Sequence, residues 1–127
     1  MNIKPAVTED TRDHAFPTHP VAGVQQLLAA LADPVRLEMV RRLMNTRTPM
    51  ACALLYDGIN KSTATHHFKV LREAGLIRSE RHGVEVRNHS RWIEVEARFP
   101  GLLAGIINAY ASDEGSHSHA AVTTTSR

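Results

Sequence analysis

The sequence lacks several features that define whole classes of protein. Its single cysteine, Cys52 among 127 residues, excludes an internal disulfide and suits a reducing cytosol. No apolar run approaches the roughly 18 residues of a transmembrane helix, and no hydrophobic segment follows Lys4 as a signal peptide requires. Neither sign of charge is in large excess, with 15 Lys and Arg against 13 Asp and Glu. We therefore expect a cytoplasmic protein without a membrane partner, whose charges act through their positions.

The sequence also lacks the motifs of catalysis. It contains no Gly-rich phosphate loop, no nucleophile elbow and no pair of carboxylates in an apolar setting. Glu94 and Glu96 are two residues apart, so on a helix they face different sides. We expect a protein that is not an enzyme and that carries no cofactor.

The chain length fits one domain between two tails. Residues 1–19 are polar and without hydrophobic periodicity, and residues 112–127 consist mostly of Ser, Thr, His and Ala. Both stretches are predicted to be disordered tails, because neither can bury enough apolar surface to fold. The structured domain is then expected over residues 20–111.

Helix start signals divide this domain. Asp33 is a capping residue, and the proline after it suits the first position of a second helix. Pro20 is suited to open the first helix, and a short third helix is predicted from about 50 to 56. After the recognition region described next, Ser90 and Pro100 can each begin helical turns.

Residues 58–83 are the most informative stretch of the chain. Asn60 can cap a helix whose apolar stripe, at the i, i+3, i+4, i+7 spacing, is Ala64, His67, Phe68 and Leu71. The other side is basic and rich in hydroxyls, and it carries no acidic residue before Glu73: Lys61, Ser62, Thr63, Thr65, His66, Lys69 and Arg72. Such a face suits the DNA major groove, because hydroxyls and imidazole reach base edges while cations neutralise phosphates.

A basic hairpin is predicted directly after this helix. Gly75 ends the helix, residues 76–81 form a strand, the chain reverses at His82-Gly83, and residues 84–89 return. The two strands carry three arginines, Arg78, Arg81 and Arg87. A polar-faced helix followed by a basic hairpin predicts a winged helix-turn-helix, a mainly α fold with a small β-hairpin wing (α+β).

Two segments resemble the ArsR/SmtB family of winged-helix repressors. Residues 31–43, LADPVRLEMVRRL, resemble the family's second helix. Residues 61–77, KSTATHHFKVLREAGLI, resemble its recognition helix and the first residues of its wing. The similarity covers about residues 21–110. It implies a homodimeric transcriptional regulator, most often a repressor, that binds a palindromic operator in double-stranded DNA.

The DNA contacts can be assigned by side-chain chemistry. The candidates for base contacts are Ser62, Thr63, Thr65 and His66. The candidates for phosphate contacts are Lys61, Lys69, Arg72, Arg78, Arg81 and Arg87, although Arg81 or His82 at the wing tip can instead enter the minor groove. His67 is expected to be a core histidine. The alternative is that the outer face is only a solvated helix surface.

The terminal helices carry apolar stripes that a three-helix core with a wing does not fully cover. The resemblance favours a homodimer joined through these helices, which places two recognition helices about 34 Å apart and predicts an inverted-repeat operator. The alternative is that the stripes complete the core of one chain. The interface candidates are Leu27, Leu28, Leu102, Leu103, Ile106, Ile107 and Tyr110.

The signal that releases such a regulator remains open. The family's thiolate metal site needs paired cysteines, and here Cys52 stands alone; its other site needs histidine on the last helix, and residues 92–110 contain none. No metal site is therefore predicted. Cys52 is either a core residue or a redox sensor whose thiol is oxidised or paired across the dimer. A small hydrophobic ligand between the terminal helices is the other possible effector.

Two alternatives to this regulator remain from the sequence. One is a nickel or cobalt sensor that uses the tail histidines His14, His19, His117 and His119. The other is a winged helix that binds proteins, which the basic, hydroxyl-rich helix face disfavours. We expect a sequence-specific DNA-binding regulator.

Overall fold

Five α-helices and a small antiparallel sheet make up the part of the chain that the computed structural model describes, which is residues 16–126, with side chains through Glu114. In chain order the elements are α1 (Val24–Leu31), α2 (Pro34–Thr46), β1 (Met50–Ala51), a 3₁₀ turn (Cys52–Leu54), α3 (Lys61–Glu73), β2 (Ile77–His82), β3 (Glu85–Ser90), α4 (Trp92–Arg98) and α5 (Leu102–Ser126). Among these helices none is long and apolar enough to cross a membrane. The predicted mainly α fold with a hairpin wing is confirmed.

The two predicted helix caps position α2 and α3. The Asp33 carboxylate accepts hydrogen bonds from the backbone N–H groups of Val35 at 2.8 Å and Arg36 at 3.1 Å. The Asn60 side chain accepts one from Thr63 N–H at 2.8 Å. Each cap satisfies backbone donors that a helix start leaves without partners, which fixes where the helix begins.

A single hydrophobic core lies under α3 and joins it to every other helix. The predicted stripe of α3 is buried, with Leu71 fully inside and Ala64, His67 and Phe68 nearly so. It packs into one cluster with side chains from the other elements, among them Leu27, Met39, Leu43, Ile77, Val95 and Leu103. The core therefore holds α3 with its polar side outward.

The sheet has three strands rather than the two of the predicted hairpin. β2 and β3 pair antiparallel, and β1 adds to the far side of β3 with Met50 opposite Asn88 and Ala51 opposite Arg87. The predicted helix over residues 50–56 was therefore wrong, because Met50 and Ala51 form a strand and only Cys52–Leu54 makes a 3₁₀ turn. Pairing with a strand almost forty positions away overrides the local preference of these residues.

The segment that leads into α1, residues 16–22, forms an N-terminal strap across the end of α3. Ala22 N–H donates to Ala74 C=O at 3.0 Å, and Arg98 donates to Val21 C=O at 2.6 Å. Gly75 makes the crossing possible, because a Cβ there would lie 2.4 Å from Pro20 C=O. The strap is extended, so α1 starts after Gly23 rather than at Pro20 as predicted.

Both predicted tails differ from the structure where it describes them. Residues 1–15 lie outside the described part of the chain, but residues 16–19 belong to the strap. At the other end, the backbone of residues 112–126 continues α5. Extending a helix that has already started costs far less than starting one, so a polar composition alone does not end it.

Candidate nucleic-acid interface

The outer side of α3 is exposed and polar. Lys61, Ser62, Thr63, Thr65, His66 and Lys69 are all exposed, whereas Arg72 near the helix end is half-buried. The residues predicted for base and phosphate contacts on this helix therefore lie on one accessible face, and the buried stripe lies on the other. We call this outer face, together with the β2–β3 hairpin (the wing), the recognition surface.

Thr65 has part of its hydrogen-bonding capacity used within the helix. Its hydroxyl donates to Lys61 C=O at 2.9 Å, one turn earlier. The outward-facing groups are then the methyl group and the remaining lone pair of the hydroxyl oxygen. These groups suit contact with a thymine methyl or with a base amino group.

His67 points inward, as predicted for a core histidine. It is 8% exposed, and its Nδ1 accepts a hydrogen bond from Arg36 Nη1 at 3.0 Å. Burial lowers the pKa of the His67 imidazole, since the charged form loses its hydration. The neighbouring His66 is exposed, so only one of the two adjacent histidines is available to a partner.

The wing reverses one residue later than predicted. His82 pairs with Glu85, so Gly83 and Val84 form the two-residue turn, with Gly83 at φ +66°. A glycine in the left-handed region at the first turn position is typical of tight hairpins. Val84 is fully exposed at the tip, an apolar residue that the sequence analysis did not select. Its position in the turn is the signal that identifies it.

The three wing arginines differ in their partners. Arg78 Nη1 lies 3.0 Å from Glu80, and Arg87 Nε lies 3.3 Å from Glu85. Within residues 16–114 no carboxylate lies within 4.0 Å of the Arg81 guanidinium, which instead lies over the Phe16 ring. Among the described residues, Arg81 is therefore the wing arginine that has no carboxylate as a partner.

Glu80 holds two further wing residues. It bonds His82 at 3.1 Å and His89 at 3.0 Å in addition to Arg78. These three partners, His82 first, lower the pKa of Glu80 to about 2. His82, predicted at the wing tip, is thus one position before the turn and has a carboxylate partner.

A buried polar link connects the wing to α3. Ser79 donates to the Asn88 side-chain oxygen at 2.7 Å, and Arg72 on α3 approaches Ser79 Oγ at 3.4 Å. The Asn88 amide also donates to Met50 C=O at 3.2 Å and to Cys52 Sγ at 3.3 Å. The half-buried Cys52 is therefore linked to Arg72 by three successive hydrogen bonds, through Asn88 and Ser79. No local pattern identifies Asn88, because its burial depends on the pairing of β1 with β3.

The arginines of α2 are engaged inside the chain. Arg36 donates to Ala30 C=O at 2.7 Å as well as to His67. Arg41 and Arg42 both bind Glu38, at 2.6 Å and 2.8 Å, and Arg42 also binds Asp57 at 2.6 Å. Their partners lie in α1, in α2 itself, in the segment before α3 and on the buried side of α3, and not on the exposed side of α3 or on the wing.

The predicted interface residues of the terminal helices fall into two groups. Leu27, Leu103 and Ile107 are buried within the chain itself, which places them in its core and not on an outer face. Tyr110 is half-buried and donates its hydroxyl to Glu38 at 2.9 Å. The more accessible ones are Leu28, which is 46% exposed, and the half-buried Leu102 and Ile106.

Metal-ligand residues are scattered in the described part of the chain. Within it, no group of three or more His, Cys, Asp or Glu side chains is arranged to hold a metal ion. Of the tail histidines, His14 and the side chains of His117 and His119 lie outside the described residues, and the His19 carbonyl accepts a hydrogen bond from Arg91. The two carboxylates considered for catalysis have structural partners: Glu94 binds Arg91, and Glu96 accepts from Gly101 and Ala104 N–H at the start of α5.

Comparisons with known proteins agree with this geometry. Residues 31–80 match a family described as a helix-turn-helix domain. The uncharacterized HTH-type transcriptional regulator YceK of Bacillus subtilis (strain 168) is 42% identical over 53 residues, which is 40% of this chain and 53% of that protein. The chain thus spans about half the length of this curated relative.

A solved structure shares the fold of this chain. The transcriptional repressor BigR from Xylella fastidiosa superposes with a TM-score of 0.55 and 27% identity, covering 70% of this chain and 83% of that one. An ArsR-like transcriptional regulator from Rhodococcus sp. RHA1 gives a TM-score of 0.49 at 22% identity, over 79% and 89% of the two chains. BigR is described as a transcriptional repressor and YceK as an HTH-type transcriptional regulator. The matches support the predicted resemblance to ArsR-family winged helix-turn-helix regulators.

Proposed function

We propose that this chain, a winged helix-turn-helix regulator of the ArsR type, represses transcription by binding an inverted-repeat operator as a homodimer. The observation that carries the proposal is the recognition surface. Its helix presents six exposed polar residues and no acidic side chain before Glu73, on a helix whose opposite side is locked into the core. Its DNA target would place the protein in the cytoplasm.

Base recognition is assigned to the first two turns of α3. Ser62, Thr65 and His66 are exposed there, and short side chains allow the helix backbone to approach the base edges closely. Lys61 at the helix start and Lys69 two turns on are both exposed, and we assign them to contacts with the DNA phosphates. The contact between Lys69 and Glu73 is 4.0 Å long and exposed, so it holds Lys69 only weakly.

Two copies of the chain are needed to read a palindrome. The accessible apolar side chains of the terminal helices support a two-fold interface formed by α1 and α5, with Val24 and Leu28 on the first and Leu102 and Ile106 on the second. A two-fold dimer presents the two α3 helices about 34 Å apart, one turn of the DNA helix. The interface is thereby proposed for fewer residues than the sequence predicted.

Release from DNA is proposed to act through Cys52 or a small ligand. The Cys52 sulfur accepts a hydrogen bond from the Asn88 amide. The oxygen of that amide accepts one from Ser79, which lies beside Arg72. Oxidation to a sulfenic acid adds an oxygen at this contact, and the displacement of Asn88 would reach both the wing and α3. A cleft of about 310 Å³ beside Arg47, Pro49 and Trp92 is an alternative place for an organic effector.

Fluorescence anisotropy of the full chain tests the DNA-binding proposal. The probe is a labelled duplex from upstream of the protein's own gene, with unlabelled unrelated duplex as competitor. We expect saturable binding that survives the competitor and a stoichiometry of two chains per site. Binding that the unrelated DNA removes completely would contradict an operator-specific regulator.

The same assay tests the redox proposal with a matched variant. Peroxide-treated wild type should lose specific binding and recover it with a thiol, whereas Cys52→Ser should bind equally before and after treatment. Equal loss in Cys52→Ser would place the oxidation at another residue.

Sedimentation tests the proposed dimer. Leu28→Glu should sediment as a monomer, and unchanged sedimentation would show that α1 is not part of the interface.

A further inference from the structure

The N-terminal strap contacts the recognition surface through its first residue, Phe16. The Phe16 ring lies under two arginines, with its centroid 4.7 Å from Cζ of Arg72 on α3 and 5.2 Å from Cζ of Arg81 on the wing. One aromatic side chain thus contacts the two structural parts of the recognition surface at once. The sequence had placed Phe16 in a disordered tail.

The strap holds Phe16 in place through independent contacts. Ala22 N–H donates to Ala74 C=O, Arg98 donates to Val21 C=O, and the largely buried Arg91 donates to His19 C=O. The backbone of Pro20 lies against Gly75, where any side chain would collide with it. These contacts at residues 19–22 anchor the segment that carries Phe16 beside α3 and the wing.

The two arginines on this ring keep their donors available. Contact with an aromatic face uses the π surface of a guanidinium, whereas its N–H groups lie in its plane. Arg81 has no carboxylate within 4.0 Å among residues 16–114, and Arg72 has one long contact with Ser79. Since the two Cζ atoms lie 4.7 Å and 5.2 Å from one centroid, they are at most about 10 Å apart, and a backbone phosphate near this ring is attracted by both charges.

We propose that Phe16 is a positioning residue that holds Arg72 and Arg81 together as a paired site for the DNA backbone. This inference rests on the proposed function, because the anion is a phosphate group of the bound duplex. Without the ring, Arg81 is a long side chain on an exposed hairpin and must be ordered when DNA binds. The ring orders it beforehand.

The test compares Phe16→Leu and Phe16→Trp with Phe99→Leu in the full chain. Phe99 is the matched control, because its ring at the end of α4 also carries an arginine, Arg98, at 5.1 Å, and the variant keeps Arg98 and its hydrogen bond to Val21 C=O. Affinity is measured by anisotropy on operator and on unrelated duplex over a range of salt concentrations. Thermal unfolding of each variant is recorded in parallel.

We expect Phe16→Leu to weaken binding to both duplexes about three- to tenfold, the size of one or two exposed cation–π contacts. Phe16→Trp should retain wild-type affinity, and Phe99→Leu should leave it unchanged. In an Arg81→Ala background, Phe16→Leu should have less effect, because the cation that it orders is gone. A purely structural role for Phe16 would show neither the rescue by Trp nor this coupling.

Three results would overturn the proposal. Unchanged binding by Phe16→Leu would mean that the arginines need no ring, and tighter binding would mean that Phe16 competes with phosphate for them. Equal losses in Phe16→Leu and Phe99→Leu would indicate a general loss of folding. If the wild type binds no duplex at all, the proposed function itself fails, a result distinct from a wild type that binds and a Phe16 variant that does not differ.

Discussion

Arg81 of the wing looks like Arg41 and Arg42 of α2 in sequence and differs from them in what it contacts. Arg41 and Arg42 share Glu38, and Arg42 also reaches Asp57. Arg81 has an aromatic ring beneath it and no carboxylate within 4.0 Å in residues 16–114. A cation that is already paired gains little from a phosphate, so we expect Arg81, rather than Arg41 or Arg42, to contact DNA.

The difference also appears between two adjacent histidines of α3. His67 is buried and bonded to Arg36 of α2, and His66 is exposed. One step along a helix turns the side chain by about 100 degrees, which moves it from the exposed side of α3 to the buried side. Net charge and residue type are therefore poor guides to function here, and the partners of each side chain are better ones.

The largest expected effect is on the free energy of unfolding, at the carboxylate that pairs with the α2 arginines. Hydrogen bonds from Arg41, then Arg42 and Tyr110, lower the pKa of Glu38 from 4.5 to about 2. A carboxylate with a lowered pKa in the folded state stabilises it above pH 4.5, and that stabilisation is lost as the pH falls from 4.5 towards 2. Glu38→Gln should lower the free energy of unfolding at pH 7 by roughly 2–3 kcal/mol and flatten the acid limb, measured by urea unfolding across pH.

The control for this prediction is a wing carboxylate. Glu85→Gln removes an exposed pair with Arg87 and should change the unfolding free energy by less than about 0.5 kcal/mol. An acid limb that is equally steep in Glu38→Gln and wild type would show that other carboxylates control it.

The next effect belongs to the recognition surface. Thr65→Ala or His66→Ala should weaken binding to the operator by about 1–3 kcal/mol and relax the base preference, while unfolding stays close to wild type. Asn108→Ala, also an exposed polar residue on a helix, should alter neither property. If both α3 variants bind operator and unrelated DNA like wild type, the base contacts lie elsewhere.

A smaller effect is the pH dependence of stability that comes from the buried histidine. Burial lowers the pKa of His67, so its neutral form stabilises the fold above its ordinary pKa of 6.5 and that contribution is lost as the pH falls below it. His67→Gln should cost about 1 kcal/mol at pH 7 and remove part of the loss between pH 7 and 5. A His67→Gln variant whose unfolding has the same pH dependence as the wild type would contradict the assignment.

The smallest effect compares two arginines of the wing. Arg81→Ala should weaken operator and unrelated duplex alike and lower the slope of log affinity against log salt by about 1, as for one lost phosphate contact. Arg78→Ala should change the slope less, because Arg78 already pairs with Glu80 at 3.0 Å. Equal slopes for the two variants would show that the internal ion pair does not limit Arg78.

Local signals in the sequence determined much of the fold and of the recognition surface. The caps at Asp33 and Asn60, the buried stripe of α3 and the glycine that ends it were all predictable, because each depends on residues within a few positions. The exposed side of α3 follows from the same periodicity. A hairpin after Gly75 was predictable too, to within one residue at the turn.

Only the tertiary structure decided what depends on distant contacts. Residues 50 and 51 form a strand because β3 is there to pair with, and Asn88 is buried for the same reason. Phe16 is part of the strap, whose position depends on two contacts with the end of α3. Ala74 C=O accepts a hydrogen bond from the strap, and Gly75 has no side chain to collide with it. The partners of each arginine were likewise decided by the packing of helices far apart in the chain. A sequence fixes local periodicity and capping, whereas the pairing of charges and strands depends on which segments folding brings together.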